Sequence, residues 1–466
     1  MNSTLLRRAI PLVVALISAC DARPTIPSPQ PTILSTIAVN NPDNVLSTLV
    51  SVRFENADSI AVNFSIDGRS LTEGEITPAV KARGDSVVVP VLGLLPATRY
   101  RARVLAYAGR ATTIGSPVDV TTGPLPADLP TFTASGIDPS PGYVVFARGP
   151  YGVVIDNSGR VVWYRRFPNG PGLNFMAEPN GHYVARPTPA VPSATDAWIE
   201  IDPLGNVTRT RGCALGLQSR PHDLIIDKDE GHWLLCDEVR TMDLSSVGGV
   251  PGARVTGTAV QHIDKDGNLL FNWSAFDHLD ITDGEPADRK GPTVNWTHGN
   301  ALDFDTDGNL LLSFRNLNEI TKINAVTGAV IWRLGGRRNQ FILANSQSPI
   351  FLGQHGVRAA AGGLIILDNV GTPGDSRGEQ YTINPNAMTV ALSQSFASSP
   401  GVVTQIGGSV QRLAGGRTLV SVGTAGRVEE YDATGHVVWR IDGNPGYVFR
   451  AQRITSLYSP GAGTAR

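Results

Sequence analysis

The chain has 466 residues, of which 41% are hydrophobic and 17% charged, and its formal net charge is −2. Such a nearly neutral chain lacks the basic stripe of a nucleic-acid-binding protein, which argues against nucleic acid as a partner. The 50 glycines and 33 prolines, set between many short apolar runs, favour strands over helices. The length exceeds that of one compact domain unless the architecture is built from repeats.

The N-terminus has the layout of an export signal. Two arginines precede the apolar stretch 9–17, which is too short for a mature membrane span. Small residues lead into Cys20, as in bacterial lipoprotein signals, where this cysteine becomes the lipidated first residue. We expect a lipoprotein signal peptide over 1–20, a proline-rich tether over 21–30, and an exported protein held by a lipid anchor on the periplasmic side of the membrane. Ordinary signal cleavage nearby, with Cys20 incidental, is the alternative.

Residues 31–125 predict a small β-sandwich domain. Apolar and polar residues alternate in runs such as 49–54 and 61–66, which is typical of strands with one buried face. The segment 94–104 resembles the tyrosine corner of a fibronectin type III sandwich, in which the hydroxyl of a tyrosine, here Tyr100, ties a loop to the strand. We therefore expect a fibronectin-III-like spacer or packing domain, followed by a linker.

From residue 131 the chain repeats a strand, a turn and a second strand. One type of hairpin recurs six times, beginning at residues 155, 201, 263, 323, 383 and 431. A second type precedes most of these copies, and Asp-Gly, Asn-Gly and Gly-Gly turns are strong hairpin signals. Two hairpins per repeat predict four-stranded units, and therefore an all-β fold with a six-bladed β-propeller over 131–460 as the catalytic domain. The stretch 447–454 is expected to supply the inner strand that the first copy lacks, which closes the ring.

Three of the eight histidines hold the same place in three consecutive repeats. His222, His298 and His355 each open an apolar run, and a turn glycine follows each of them eight to ten residues later. Because the first strand of each propeller blade lines the central channel, we expect the three side chains to meet at one mouth. The hairpin centred on 305–308 brings Arg315 opposite His298.

The same hairpin logic places Asp237 and Glu238 near His222, and Asp368 and Asn369 near His355. The insertions 239–258 and 277–296 are expected to rim the site. Imidazoles and a guanidinium suit a tetrahedral oxyanion such as sulfate or phosphate. A neutral histidine can attack such a centre and carry it covalently, while a second histidine moves a proton. Two alternatives stay open: a metal-dependent hydrolase, since three histidines can hold zinc with a free position, and a non-catalytic propeller that binds a ligand or protein.

The sequence resembles the bacterial arylsulfate sulfotransferases, a nucleotide-independent family, over 140–458. The resemblance is strongest over 296–385, and its motifs are Trp-Thr-His-Gly-Asn, Ser-Phe-Arg-Asn, Gly-Gln-His-Gly-Val and Ser-Arg-Gly-Glu-Gln-Tyr. It implies a six-bladed propeller with an N-terminal β-sandwich. It also implies transfer of a sulfuryl group from a phenolic sulfate ester, the aryl sulfate donor, to a phenolic acceptor through a sulfated histidine, with no cofactor and no metal.

Residue by residue, the resemblance implies His355 as the nucleophile. His298 and Arg315 match the residues that hold the sulfuryl group, and His222 matches the proton donor and acceptor. Gly356 departs from the pattern, since many members of the family have an acidic residue after the nucleophile. The resemblance leaves a homodimer open.

The remaining candidates are expected to be structural. Cys213 and Cys236 form either a disulfide or two buried thiols, and the sequence leaves both open. Arg377 is a minor candidate for anion binding. Four recurrent tryptophans are expected to pack between blades: Trp163, Trp273, Trp332 and Trp439. Five histidines next to turns or in loops are expected to be solvated: His182, His232, His262, His278 and His436.

Overall fold

A computed structural model describes residues 29–189, 197–344, 350–371, 374–443 and 445–463. The chain is 49% strand and 6% helix, which confirms the all-β class. The expected signal peptide with Cys20, and the tether up to residue 28, lie outside the described residues. Within the described ranges, no helix has both the length and the apolar character needed to cross a membrane.

Two sheets with a common core form the N-terminal part. Their strands are β1 (Thr32–Asn40), β2 (Ser47–Glu55), β3 (Ser59–Ile66), β4 (Glu75–Ile76), β5 (Val80–Lys81), β6 (Ser86–Leu92), β7 (Arg99–Ala108), β8 (Ala111–Ile114) and β9 (Val118–Thr121). One sheet has the order β1-β2-β6, and the other has the order β4-β3-β7-β8, with β5 beside β3 and β9 beside β7. Fully buried Val62, Val89 and Val104 belong to the shared core. The hydroxyl of Tyr100 accepts a hydrogen bond from the N–H of Leu95 (2.8 Å), which is the tie that the 94–104 segment predicts.

The rest of the chain is a succession of short strands. They are β10 (Ala134–Gly136), β11 (Tyr143–Arg148), β12 (Tyr151–Ile155), β13 (Val161–Arg166), β14 (Phe175–Ala177), β15 (Tyr183–Ala185), β16 (Trp198–Ile201), β17 (Val207–Arg211), β18 (Gln218–Ile226), β19 (His232–Met242), β20 (Ala253–Ile263), β21 (Leu269–Ser274), β22 (Thr293–Asn295), β23 (Gly299–Phe304), β24 (Leu310–Phe314), β25 (Glu319–Ile323), β26 (Val330–Gly335), β27 (Ile342–Leu343), β28 (His355–Ala360), β29 (Gly363–Asp368), β30 (Arg377–Asn384), β31 (Thr389–Ala397), β32 (Ser409–Arg412), β33 (Thr418–Ser421), β34 (Val428–Tyr431), β35 (Val437–Ile441) and β36 (Ala451–Ile454). Helix α1 spans Ala275–His278, and the short 3-10 helices are Leu71–Glu73, Ser245–Val247, Ile281–Asp283, Pro286–Arg289, Arg315–Leu317, Ala414–Gly416 and Gly423–Ala425.

These strands make six sheets, each built on four antiparallel strands. Strand β22 adds to the third sheet beside β20, and β27 adds to the fifth sheet beside β31, both as parallel strands. In chain order the sheets are β36-β11-β12-β13, β14 to β17, β18 to β21, β23 to β26, β28 to β31 and β32 to β35. Strand β36 pairs with β11, so the C-terminal segment completes the first sheet as the sequence predicts. Strand β10 pairs with β35 and adds an outer strand to the sixth sheet. The two ends of this region therefore interlock.

The first strands of neighbouring sheets pack against one another. Strand β18 contacts β23, β23 contacts β28, β28 contacts β32, β32 contacts β36 and β36 contacts β14. Three of these strands carry or follow the candidate histidines. The packing of the strands thus accounts for the meeting of residues that lie far apart in sequence.

The recurrent tryptophans lie in the core between sheets, as expected. Trp163, Trp273, Trp332 and Trp439 are at most 4% exposed. Three of their indole N–H groups donate to carbonyls of the following sheet: Trp163 to Pro203 (2.8 Å), Trp273 to Gly328 (3.1 Å) and Trp439 to Asn157 (2.9 Å). A buried indole whose N–H has a partner contributes its large apolar area without a desolvation penalty. The repeat of this residue therefore stabilises the same joint between successive sheets.

A disulfide joins Cys213 and Cys236, with 6.2 Å between the two Cα atoms. Cys213 follows β17 in the second sheet and Cys236 belongs to β19 in the third. The bridge therefore ties two neighbouring sheets together, and of the two options that the sequence leaves open the structure has the bonded one.

Candidate active site

The three histidines converge. The rings of His222 and His298 lie 5.1 Å apart between centroids, at nearly a right angle. The ring of Phe449 is 5.6 Å from His222 and 6.0 Å from His355. Phe449, in the segment before β36, therefore lies between two of the histidines. The sequence pointed to this segment only as a closing strand, so the contact of Phe449 with the site was missed.

His355 is held in one orientation by two acceptors. Its Nδ1 lies 2.8 Å from Oδ1 of Asn369 and 2.9 Å from the carbonyl oxygen of Gly353. The amide nitrogen of Asn369 donates to the carbonyls of Thr404 (3.1 Å) and Gly407 (2.9 Å), which fixes the amide. Since both neighbours of Nδ1 are acceptors, that nitrogen carries the proton and Nε2 keeps its lone pair.

The opposite nitrogen of His355 meets a single backbone donor. The N–H of Gly407 donates to Nε2 at 3.3 Å, which is a long hydrogen bond. The side chain is 1% exposed, and burial, with Arg315 and Arg450 nearby, lowers the pKa of His355 to about 4. At neutral pH His355 is therefore a neutral imidazole with a defined tautomer.

Gly356, which departs from the family pattern, is required by its surroundings. Its φ is +65°, and an added Cβ would lie 3.2 Å from Cα of Ser409. A side chain at this position would meet both the left-handed backbone and a neighbouring strand. In this chain Asn369, and not a residue following the histidine, supplies the polar partner of His355.

His298 has a strained backbone and a fixed ring. Its φ is +49°, a conformation that costs a non-glycine residue on the order of 1–3 kcal/mol and is concentrated at functional sites. The amide nitrogen of Asn295 donates to Nδ1 at 2.7 Å, which leaves the proton on Nε2. Burial, together with Arg220 and Arg315, lowers the pKa of His298 to about 3. The ring is therefore a neutral hydrogen-bond donor.

Arg315 lies opposite His298, as the hairpin register predicts. Its backbone N–H donates to the carbonyl of His298 at 3.1 Å. Its guanidinium donates to Oδ1 of Asn316 (2.9 Å) and to the carbonyl of Gln405 (3.1 Å), both neutral acceptors. A cavity of about 410 Å³ adjoins Arg315 and is also lined by Glu285 and Asp288 from the 277–296 insertion. Because both acceptors of the Arg315 guanidinium are neutral, its positive charge is available to an anion that enters through this cavity.

His222 is buried and differs from the other two histidines in its hydrogen bonding. It is 8% exposed, and its Nδ1 is buried with no partner among the described residues. Burial, with Arg220 and the other two histidines, lowers the pKa of His222 well below its usual range. Asp237 was expected to lie near His222, but it bonds Arg220 instead. The reason is that the pairing of β18 and β19 shifts between Ser219 and Leu224.

Two guanidinium groups and one carboxylate lie beneath the histidines. Asp223, fully buried, accepts from Nη1 of Arg358 at 3.0 Å and from Nη1 of Arg450 at 2.7 Å. Nη2 of Arg450 also reaches the carbonyl of His222 at 3.5 Å. Asp223 therefore holds both guanidinium groups in place next to His222. Arg450 is close enough to contribute to the lowered pKa of His222 and of His355, since a like charge disfavours the protonated imidazole.

The site residues fall within a known family. The Arylsulfotransferase (ASST) family model matches residues 217–444, which include the three histidines and Arg315. The match supports the arylsulfotransferase family for this chain. The recognition made from the sequence motifs is confirmed at the level of the family.

Two solved structures illustrate distant similarities to this chain. A protein of unknown function from Bacteroides caccae is 10% identical with a TM-score of 0.43, and the match covers 67% of this chain and 98% of that one. A catalytically inactive variant of virginiamycin B lyase from Staphylococcus aureus is 10% identical with a TM-score of 0.36, over 66% and 88% of the two chains. No curated protein matches the chain. Neither likeness carries an argument about function.

The other candidates from the sequence lie outside this cluster. Arg377 pairs with Asp375 (2.5 Å) and is therefore committed to an ion pair. The expectation that five histidines are solvated holds for His436, whose side chain is 84% exposed, but it is wrong for His232, which is 5% exposed and 3.4 Å from Arg211. Among the described residues, no group of three or more His, Cys, Asp or Glu side chains is arranged to hold a metal ion.

Proposed function

We propose that this protein is an arylsulfate sulfotransferase in which His355 carries the sulfuryl group between a phenolic sulfate ester and a phenolic acceptor. The observation that carries the proposal is the fixed state of His355: a buried, neutral imidazole whose Nδ1 proton is held by Asn369. Membership of the family supports the reaction class. The metal-free chemistry uses only side chains that are present in the cluster.

In the first half-reaction, Nε2 of His355 attacks the sulfur of the donor ester. The bond from sulfur to the phenolic oxygen breaks, and the phenolate leaves with the electron pair. Attack requires the long hydrogen bond to Gly407 to break, which frees that N–H for a sulfuryl oxygen. Arg315 and the Nε2–H of His298 stabilise the remaining oxygens as charge shifts during transfer.

His222 is the proposed proton carrier. A bound sulfate ester is negatively charged and raises the pKa of neighbouring imidazoles, since an opposite charge favours their protonated form. Protonated His222 then gives its proton to the leaving phenolate. In the second half-reaction neutral His222 takes the proton of the acceptor phenol, and the phenolic oxygen attacks the sulfur and releases His355.

The proposed scaffold is a six-bladed β-propeller over 131–460, preceded by a fibronectin-III-like sandwich over 31–125. The six four-stranded sheets and the contacts between their first strands support the propeller. The common core of the two N-terminal sheets and the hydrogen bond of Tyr100 support the sandwich.

We also propose export and lipid anchoring at Cys20. Metabolic labelling with a fatty acid should mark the full chain and not the Cys20→Ser variant.

A chromogenic assay tests the reaction. The protein without residues 1–20 is mixed with 4-nitrophenyl sulfate, with and without phenol, in the presence of a chelator. Release of nitrophenolate that depends on phenol is the expected result. Release without acceptor would indicate a sulfatase instead. No release with several donors would favour a binding protein without turnover.

A further inference from the structure

A second cavity lies at the far ends of the strands that begin at the histidine site. It has a volume of about 680 Å³ and is lined by residues 138–141, 412–415, Arg417, Arg453 and Thr455. Strand β32 starts beside Gly408 and ends at Arg412, and β36 starts after Arg450 and ends before Thr455. The cavity therefore lies between the sixth and first sheets and is distinct from the candidate active site.

Two of the three arginines that line this cavity are neutralised by carboxylates. Arg417 pairs with Asp138 (2.5 Å) and with Glu430 (3.2 Å). Arg453 pairs with the other oxygen of Glu430 at 2.8 Å. Glu430 is fully buried, so these two guanidinium groups are held in place by the protein itself.

Arg412 has neutral partners in the described part of the chain. Its Nη1 donates to Oε1 of Gln394 (3.2 Å) and to Oγ1 of Thr418 (2.6 Å), and its guanidinium lies 5.9 Å from the ring centre of Phe396. Burial lowers the pKa of Arg412, and among the described residues no acidic group offsets that effect. Three positive charges thus face the two negative charges of Asp138 and Glu430. A partly buried cation without a counter-charge is costly unless a ligand supplies one.

The rest of the lining is apolar. Pro139, Pro141, Leu413 and Ala414 contribute to the wall of the cavity. A concave site with apolar walls and a few charged groups suits a small molecule that has both an apolar body and a charged head. Guanidinium groups bind planar carboxylates and sulfuryl oxygens through paired hydrogen bonds.

We propose that this cavity binds a small organic anion, with Arg412 holding a carboxylate or sulfonate-type head and the proline-lined wall holding the apolar body. The site is independent of the transfer reaction, so its ligand binds whether or not the proposed chemistry holds. Its nearness to the joint between the first and last sheets means that the ligand contacts both ends of the interlocked region.

Calorimetric titration with two probes tests the site. Benzoate and benzenesulfonate distinguish a carboxylate from a sulfuryl head, and inorganic sulfate tests whether the apolar body matters. The Arg412→Gln variant should weaken binding of the preferred probe about tenfold or more, because it removes a charge-assisted hydrogen bond. Arg440→Gln, which changes an exposed arginine of β35, is the matched control and should leave binding unchanged.

A further variant separates this cavity from the candidate active site. Arg315→Gln should leave the Arg412-dependent binding intact, and Arg412→Lys should recover part of it. Thermal unfolding of each variant checks that the fold persists. The proposal is overturned if neither organic probe binds, if Arg412→Gln binds as well as the unchanged protein, or if binding is lost only with Arg315→Gln.

Discussion

Asn369 offers a direct test of how His355 is prepared for reaction. Its side chain is fully buried, and its Oδ1 is 2.8 Å from Nδ1 of His355. During transfer the imidazole becomes positively charged, so this hydrogen bond changes from a neutral one to a charge-assisted one. A neutral hydrogen bond contributes about 1 kcal/mol, whereas one to a charged group contributes about 1.5–3 kcal/mol.

The expected effect of Asn369→Ala follows from that difference and from the lost orientation. Gly353 keeps one acceptor at 2.9 Å, so Nδ1 is not left without a partner. We expect kcat to fall by roughly ten- to a hundredfold, with a smaller change in KM, because the interaction strengthens only as charge develops. Asn369→Ala also removes the amide donor from the buried carbonyl of Gly407, which costs on the order of 1–3 kcal/mol of stability. The carbonyl of Thr404 keeps a hydrogen bond from the hydroxyl of Ser376 at 3.3 Å.

The assay is steady-state nitrophenolate release with saturating phenol, with unfolding by denaturant measured in parallel. Asn369→Asp is the informative companion, since a carboxylate beside Nδ1 raises the pKa of His355. This variant should lose activity at a higher pH than the unchanged protein as the solution is acidified. If Asn369→Ala is folded and keeps its kcat, or if only KM changes, the orientation argument is refuted.

Three further predictions follow from the same structure. The pKa of His355 is lowered from 6.5 to about 4, so between these pH values the unfolded chain binds a proton that the native state does not bind. The free energy of unfolding should therefore fall as the pH drops from about 6.5 to about 4, and His355→Gln should flatten this slope. An unchanged slope in the variant would contradict the burial of a neutral ring. The disulfide between Cys213 and Cys236 has a sequence separation of 23 residues, so replacing both cysteines by serine should lower the free energy of unfolding by about 3 kcal/mol in denaturant titrations. Equal stability of the variant would mean that the bridge does not constrain the unfolded chain. Arg315→Lys keeps the charge but not the planar fork, so kcat/KM for the aryl sulfate should fall by at least about tenfold at unchanged stability, and full activity would show that only charge is needed there.

The hairpins explain which parts of the site were readable from sequence. The Asp-Gly turn at 307–308 brings Arg315 opposite His298, where the N–H of Arg315 donates to the carbonyl of His298. The turn at 362–363 brings Asn369 close to His355, although the strand residue paired with His355 is Leu367. The interlocking of the 447–454 segment with the first sheet also followed from counting strands. Local turn chemistry is strong enough to set these pairings without knowledge of the rest of the fold.

Contacts between sheets could not be predicted from the sequence in the same way. The network of Asp223, Arg358 and Arg450 joins β18, β28 and the segment before β36, which are far apart in sequence. No local pattern marks its members as partners. The shift between Ser219 and Leu224 moved Asp237 from His222 to Arg220, since an irregular strand breaks the simple register sum. His232 is buried because Arg211 and the segment around Gly212 of the preceding sheet cover it.

The two insertions that were expected to rim the site are built differently. The 239–258 insertion extends β19 and β20 to eleven residues each, and a loop over 243–252 with the short 3-10 helix Ser245–Val247 joins the two strands. The 277–296 insertion brings Asn295 to His298 and two acidic residues to the cavity beside Arg315. The sequence of an insertion does not show how far a strand extends, because that depends on its pairing partner. Nor does it show where a loop lies, because that depends on the packing beneath the loop.

The most direct test of the account is to look for the sulfuryl group on the protein. The folded chain without residues 1–20 is mixed with an aryl sulfate in the absence of acceptor, quenched at alkaline pH, digested and analysed by mass spectrometry. The account predicts one sulfuryl group on the peptide that contains His355, which disappears when phenol is added before the quench and is absent in His355→Ala. Nitrophenolate release that depends on phenol, with no modification of His355 or with full turnover by His355→Ala, would contradict it.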